Sequence, residues 1–226
     1  MIKCISNLIR KDNTLVDVCG SKWNFSDGSI NYQWGGGEYN NLIEGLYFDG
    51  SKSLTINSPS NKMKEIYNTF SIITCFKIST FNSEIITNIK ATGPRVRHNK
   101  IEIKIDEGKL RTQIGSETST LDTDTTLNFN NKILLEIQVN TTDPKYPKKC
   151  VVSYYYNGKY IGHYINDIDR DDCGYNADYI LNNINFNLPK GSYLYLFKIY
   201  NGLYHKNDYS QETPFYNIEY KNIILQ

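Results

Sequence analysis

The sequence predicts an all-β protein, a two-sheet antiparallel β-sandwich of jelly-roll type, and three observations carry that expectation. Short runs rich in aromatic and β-branched residues are separated by turn signals about every ten residues. Within one such run Ile101, Ile103 and Ile105 alternate with Glu102, Lys104 and Asp106, the pattern of a strand with one buried and one wet face. There is no βαβ alternation and no short-period repeat, so a parallel sheet is not indicated.

The elements follow in order. LYFDGSKSLTIN, from Leu46 to Asn57, holds Asp49-Gly50 between two β-like pieces and reads as a hairpin. Met63, Ile66, Tyr67 and Phe70 fall at helical spacing, enough for one or two turns of helix. FSIITCFKIST and SEIITNIKA are strands. KIEIKIDEGKLRTQI is a pair of strands joined at Asp106-Glu107-Gly108, and KILLEIQVN is a further strand. CVVSYYYNGKYIGHYI turns at Asn157-Gly158. NINFNL and SYLYLFKIY follow, and FYNIEYKNIIL closes the chain. In SYLYLFKIY strict alternation puts Tyr193, Tyr195, Phe197 and Ile199 on one face and Leu194, Leu196, Lys198 and Tyr200 on the other. Such a strand is expected to be covered on both faces. A length of 226 residues without a long linker favours one domain over residues 1–226. Residues 1–11 and 212–226 are expected to be edge or assembly strands.

Composition excludes several classes. With 25 basic and 24 acidic residues the chain has no charge excess to hold a phosphate backbone, so nucleic acid is not an expected partner. The basic cluster Lys145 to Lys149 reads as a solvated turn. No apolar run reaches the about 20 residues that span a bilayer, so no membrane insertion is expected. No secretory signal is visible, and synthesis in a reducing cytoplasm is the expectation. Five cysteines, spread widely and without a CxxC, argue against a disulfide framework or a zinc site, and Cys75 reads as a small buried residue. The richness in Asn, Ile, Lys and Tyr matches an AT-rich coding style.

Order and spacing add a resemblance. Leu46-Tyr47-Phe48-Asp49-Gly50, the strand Phe70 to Ile78, Tyr156-Asn157-Gly158 and Phe197-Lys198-Ile199-Tyr200-Asn201 succeed one another from Thr14 to Gln211. This ordered set resembles the laminin-G-like branch of the concanavalin A-like lectin/glucanase superfamily. The resemblance implies a jelly roll and carbohydrate binding. Tyr195 and Leu196 stand where relatives often carry an acidic pair, so a role of that pair is not carried over.

Catalysis is not expected. Glu102 and Asp106 share a strand face, but four residues at about 3.3 Å rise separate them by roughly 13 Å. Glycoside hydrolysis needs carboxyl groups about 5–5.5 Å or 6.5–9.5 Å apart, and Lys104 stands between the two. His98, His163 and His205 are isolated, and neither a phosphate loop nor a serine elbow is present. Two segments hold candidate binding residues. Asp167, Asp169 and Asp171 have a D-x-D-x-D spacing able to gather oxygens around Ca²⁺. Asp172 and Asp178 occupy the EF-hand Gly and Glu positions, so this is no EF-hand. NYQWGGGEYNN, residues 31–41, sets Trp34 beside three glycines. Trp34, Gly36, Tyr39 and Asn40, with Tyr175, are the expected ligand contacts: sugars need aromatic faces and planar polar groups. The alternative for Trp34 is packing under the end of the sandwich, and Trp23 is expected in the core.

Together these features point to a non-enzymatic carbohydrate-binding or adhesion module. A bacteriophage fibre or decoration protein on the virion surface, contacting host or mucosal glycans, fits the coding style. No cofactor is required beyond optional calcium. The alternative is a purely structural protein of a larger assembly, or a homo-oligomer, acting through protein contacts. A glycoside hydrolase ranks third.

Overall fold

The computed structural model describes residues 1–29, 31–35, 44–58, 69–80, 83–90, 100–114, 117–120, 132–140, 142–147, 149–165 and 184–205. For residues 56–58, 83–90, 100–101, 114 and 117–120 it describes the backbone. Among the described residues there are sixteen strands and no helix. They are β1 (Cys4–Lys11), β2 (Thr14–Asp17), β3 (Lys22–Phe25), β4 (Trp34–Gly35), β5 (Gly45–Phe48), β6 (Leu54–Ser58), β7 (Thr69–Lys77) and β8 (Ser83–Lys90). β9 (Lys100–Asp106), β10 (Lys109–Ile114), β11 (Glu117–Thr120), β12 (Ile133–Asn140), β13 (Val151–Tyr156), β14 (Lys159–Ile165), β15 (Ile184–Phe186) and β16 (Ser192–Tyr200) follow.

The strands form a two-sheet antiparallel sandwich. A nine-stranded sheet runs β14-β13-β12-β7-β16-β1-β2, with β5 on β16 and β4 on β5. A seven-stranded sheet runs β11-β10-β9-β8-β15-β6-β3. Three two-residue loops have both central φ angles positive, at Asp12-Asn13, Glu107-Gly108 and Asn157-Gly158. That geometry matches the twist of paired strands, and each loop closes a hairpin. The core is aromatic. Trp23 and Phe186 from one sheet meet Phe197 from the other at 5.1 and 5.3 Å between ring centroids, edge to face. Tyr154 is fully buried, and its hydroxyl meets that of Thr112 across the sandwich.

Three expectations need correction. Asp49-Gly50 does not close a hairpin: β5 pairs with β16 in the larger sheet and β6 with β3 and β15 in the smaller. The turn carries the chain from one sheet to the other. Gly50 has φ +83°, and a Cβ there would lie 2.8 Å from Lys190 Cβ, so the turn is fitted against that residue. β16 does not alternate strictly, because its register against β7 shifts between Leu194 and Leu196. Leu194 lies opposite Phe76, and Phe197 packs on Phe186, so both face the core although three residues apart. Finally, β1 is not an edge strand. It lies between β16 and β2, and β2 is the outermost of the described strands on that side. The helical turn expected near Met63 and the strand expected at 212–226 lie outside the described residues.

Candidate functional site

A cleft of about 250 Å³ opens where the β3–β4 loop faces β5 and the β5–β6 turn. Phe25, Ser29, Asn31, Gln33, Tyr47, Asp49 and Lys52 line it. Local hydrogen bonds shape both walls. Gly28 donates its backbone N–H to Phe25 O at 2.9 Å, and Asp27 Oδ1 accepts from the Ser29 N–H at 2.8 Å. Asn31 N–H donates to Ser29 Oγ at 3.2 Å. These side-chain acceptors offer the backbone a turn in place of a ladder, which suits SDGS between two strands. On the facing wall Asp49 Oδ1 accepts from the Ser51 N–H at 2.9 Å and its hydroxyl at 2.7 Å.

Three further links hold the walls together. Ser26 N–H donates to Ser53 O at 2.8 Å, Tyr47 N–H to Gln33 O at 2.8 Å, and Lys52 Nζ lies 3.0 Å from Asp27 Oδ2. The Ser51 hydroxyl and N–H hold the Asp49 carboxyl below its usual range. The Ser29 N–H, then Lys52, do the same for Asp27. Both are therefore ionised, acceptor-only groups at neutral pH. Asn31, Gln33 and Asp49 are exposed. The lining thus offers two amides, a hydroxyl, a carboxylate and an ammonium beside two aromatic rings. Its volume is below the about 300–1,000 Å³ of pockets that enclose drug-sized ligands, so it suits one ring of a longer ligand.

Trp34 lies apart from this lining. It is half-buried in β4, and its indole N–H donates to Asn13 O at 3.1 Å. The Arg10 guanidinium sits 4.9 Å over its ring and bonds Glu44 at 2.5 Å. Trp34 therefore clamps the β1–β2 hairpin. Trp23 is buried, as expected. Asp106 pairs with Arg111 at 2.7 Å. The Tyr160 hydroxyl bonds His163, and His205 lies 3.0 Å from the buried Glu136. Gly36, Tyr39, Asn40, Tyr175, Asp167, Asp169, Asp171 and His98 lie outside the described residues. Among the described residues no group of three or more His, Cys, Asp or Glu side chains is placed to hold a metal ion.

The cleft draws Asn31 and Gln33 from the segment 31–41, where the sequence pointed instead to Trp34, Gly36, Tyr39 and Asn40. Asn31 and Gln33 line the cleft, while Tyr32 and Trp34 do not. The other lining residues, Phe25, Ser29, Tyr47, Asp49 and Lys52, were not among the contacts expected from the sequence. The available signal was the pair of Asx turns, Asp27-Gly28-Ser29 and Asp49-Gly50-Ser51, on either side of that amide pair.

No protein-family model matches the sequence, and no curated protein matches it significantly. Solved structures do match. The chain is similar to the binding domain of botulinum neurotoxin DC in complex with SialylT, at TM-score 0.58 and 16% identity, over 89% of this chain and 48% of that one. It is similar to a botulinum neurotoxin type C structure whose cell entry is described as dependent on two ganglioside molecules, at TM-score 0.61 and 15% identity, over 89% and 48%. It is also similar to the botulinum neurotoxin DC binding domain in complex with rat synaptotagmin II, at TM-score 0.57 and 16% identity, again over 89% and 48%. The chain spans about half the length of these structures. At this identity the likeness establishes the fold, an all-β sandwich, and does not single out the concanavalin A-like or laminin-G-like branch.

Proposed function

We propose that this protein is a non-enzymatic carbohydrate-binding module whose site is the cleft between the β3–β4 loop and the β5–β6 turn. The observation that carries the reading is the cleft's lining. Asn31, Gln33 and Asp49 present planar polar groups for hydroxyls, and the half-buried Tyr47 offers ring surface for a C–H face, while Phe25 is buried in the core. Lys52 adds a cation suited to an acidic sugar. The solved neighbours include structures described with SialylT and with gangliosides, which supports the same class. Gly36, Tyr39 and Asn40 continue the segment that supplies Asn31 and Gln33, and they enter the proposal as further contacts. Tyr175 and a calcium ion at Asp167, Asp169 and Asp171 form its second part. The biological setting that fits is adhesion, with a virion surface as its finer form.

A second reading has its own support. One neighbour is a complex with rat synaptotagmin II, which supports a protein partner. Binding to a glycan array, repeated with EDTA and with Gln33→Ala, tests the proposal. Wild-type binding that Gln33→Ala weakens supports the cleft. Binding that EDTA abolishes assigns a role to the acidic segment. A folded protein that binds no glycan leaves the protein-contact reading.

A further inference from the structure

We propose that Cys4 and Cys19 are a redox-responsive pair that closes into a disulfide when the protein meets an oxidising environment. The two are fifteen positions apart, with no motif linking them. The β1–β2 hairpin brings them together, since Leu8 pairs with Asp17 and Val18 N–H donates to Asn7 O at 3.0 Å. Cys19 Sγ lies 3.6 Å from Cys4 O, and Cys4 Sγ lies 3.3 Å from Ser6 O. The neighbouring Cys19 thiol, and then burial, push the Cys4 thiol up.

Cys19 is also held in place. Asp17 Oδ1 accepts its N–H at 2.8 Å and that of Asn7 at 3.1 Å. One carboxylate therefore fixes both sides of the gap that the bond would close. Both cysteines are half-buried. By contrast Cys75 is buried, with its thiol pushed up to about 12 by burial, and Cys150 is fully buried.

The chemistry balances with a low-molecular-weight disulfide such as oxidised glutathione as oxidant. Cys19 thiolate attacks one sulfur of the oxidant, forming a mixed disulfide and releasing one glutathione thiolate. Cys4 then loses its proton and attacks Cys19 Sγ, and the second glutathione leaves. Two protein thiols are oxidised, one glutathione disulfide is reduced, and the two protons pass to the released thiolates. The product ties the start of β1 to the turn after β2, bracing the edge of the nine-stranded sheet. Closing a loop in the unfolded chain raises stability.

The test treats the full chain with oxidised glutathione and follows trypsin digestion without reduction. Residues 4–10 and 12–22 leave as separate peptides, CISNLIR and DNTLVDVCGSK. The expected result is one linked species two hydrogens lighter than their sum. A melting temperature several degrees higher should accompany it, reversed by dithiothreitol and absent in Cys4→Ser and Cys19→Ser. Glutathione adducts on either peptide without the linked species would overturn the proposal. So would recovery of both thiols unmodified.

Discussion

Asp17 and Asp49 are both aspartates that gather donors from the next turn, yet they serve opposite ends. Asp17 is buried and accepts from Ser6 Oγ at 2.6 Å, Asn7 N at 3.1 Å, Cys19 N at 2.8 Å and Trp23 Nε1 at 3.1 Å. It joins β1, β2 and β3, so it ties the edge of one sheet to the other. Asp49 accepts from Ser51 alone among these contacts, is exposed, and lines the cleft. A carboxylate whose lone pairs are spent inside the protein holds a fold. One with lone pairs facing solvent can hold a ligand. The difference lies in burial, not in residue type.

Removing Asp17 should therefore have the largest effect. Asp17→Ala orphans four donors, all of them on buried or half-buried residues, and should lower unfolding stability by about 3–5 kcal/mol in urea titrations. Gly45→Ala comes next. A Cβ there would lie 2.9 Å from Tyr193 Cβ and 3.2 Å from Leu194 O, so β5 must shift against β16. A loss of about 1–3 kcal/mol is expected by the same titration. Asp49→Ala, Asn31→Ala and Gln33→Ala should each leave stability within about 0.5 kcal/mol and weaken glycan binding about tenfold or more, measured by calorimetry.

The smallest effect is that of pH. The Asp27 and Asp49 carboxyls titrate below their ordinary value of 3.8 in the folded state. Their contribution is then fully present above that value and is lost as pH falls through the lower folded values. Near neutrality neither group titrates, so the wild type's margin over Asp27→Asn and Asp49→Asn should not change with pH. Only in strong acid should Asp27→Asn and Asp49→Asn converge on the wild type. A margin over the variants that had already closed near neutrality would contradict the hydrogen bonds to Ser29 and Ser51.

Much of the fold was legible because its signals are local. Ile103 and Ile105 are buried between half-exposed neighbours, and the Glu107-Gly108 and Asn157-Gly158 hairpins stand where the residue types placed them. What failed was non-local. Asp49-Gly50 has a hairpin's residues, but β16 competes for β5 and the turn becomes a crossover. The shift at Leu194/Leu196 leaves no mark in the residue pattern, since apolar residues stand on both sides of it. The cleft was half legible. Asn31 and Gln33 sit in the segment the sequence singled out, while Lys52 and Asp49 look like any polar turn until Ser26 and Ser53 bind the two loops together. The approach of Cys19 to Cys4 was invisible because the β1–β2 hairpin, not sequence spacing, brings them near each other.

The most direct test of the central claim is calorimetric titration of a glycan-array hit into the wild type, Gln33→Ala and Trp34→Ala, each shown to be folded. The cleft account predicts that Gln33→Ala abolishes or greatly weakens binding while Trp34→Ala, which lies off the lining, changes it less. Undiminished binding by Gln33→Ala, with loss confined to Trp34→Ala, would contradict it.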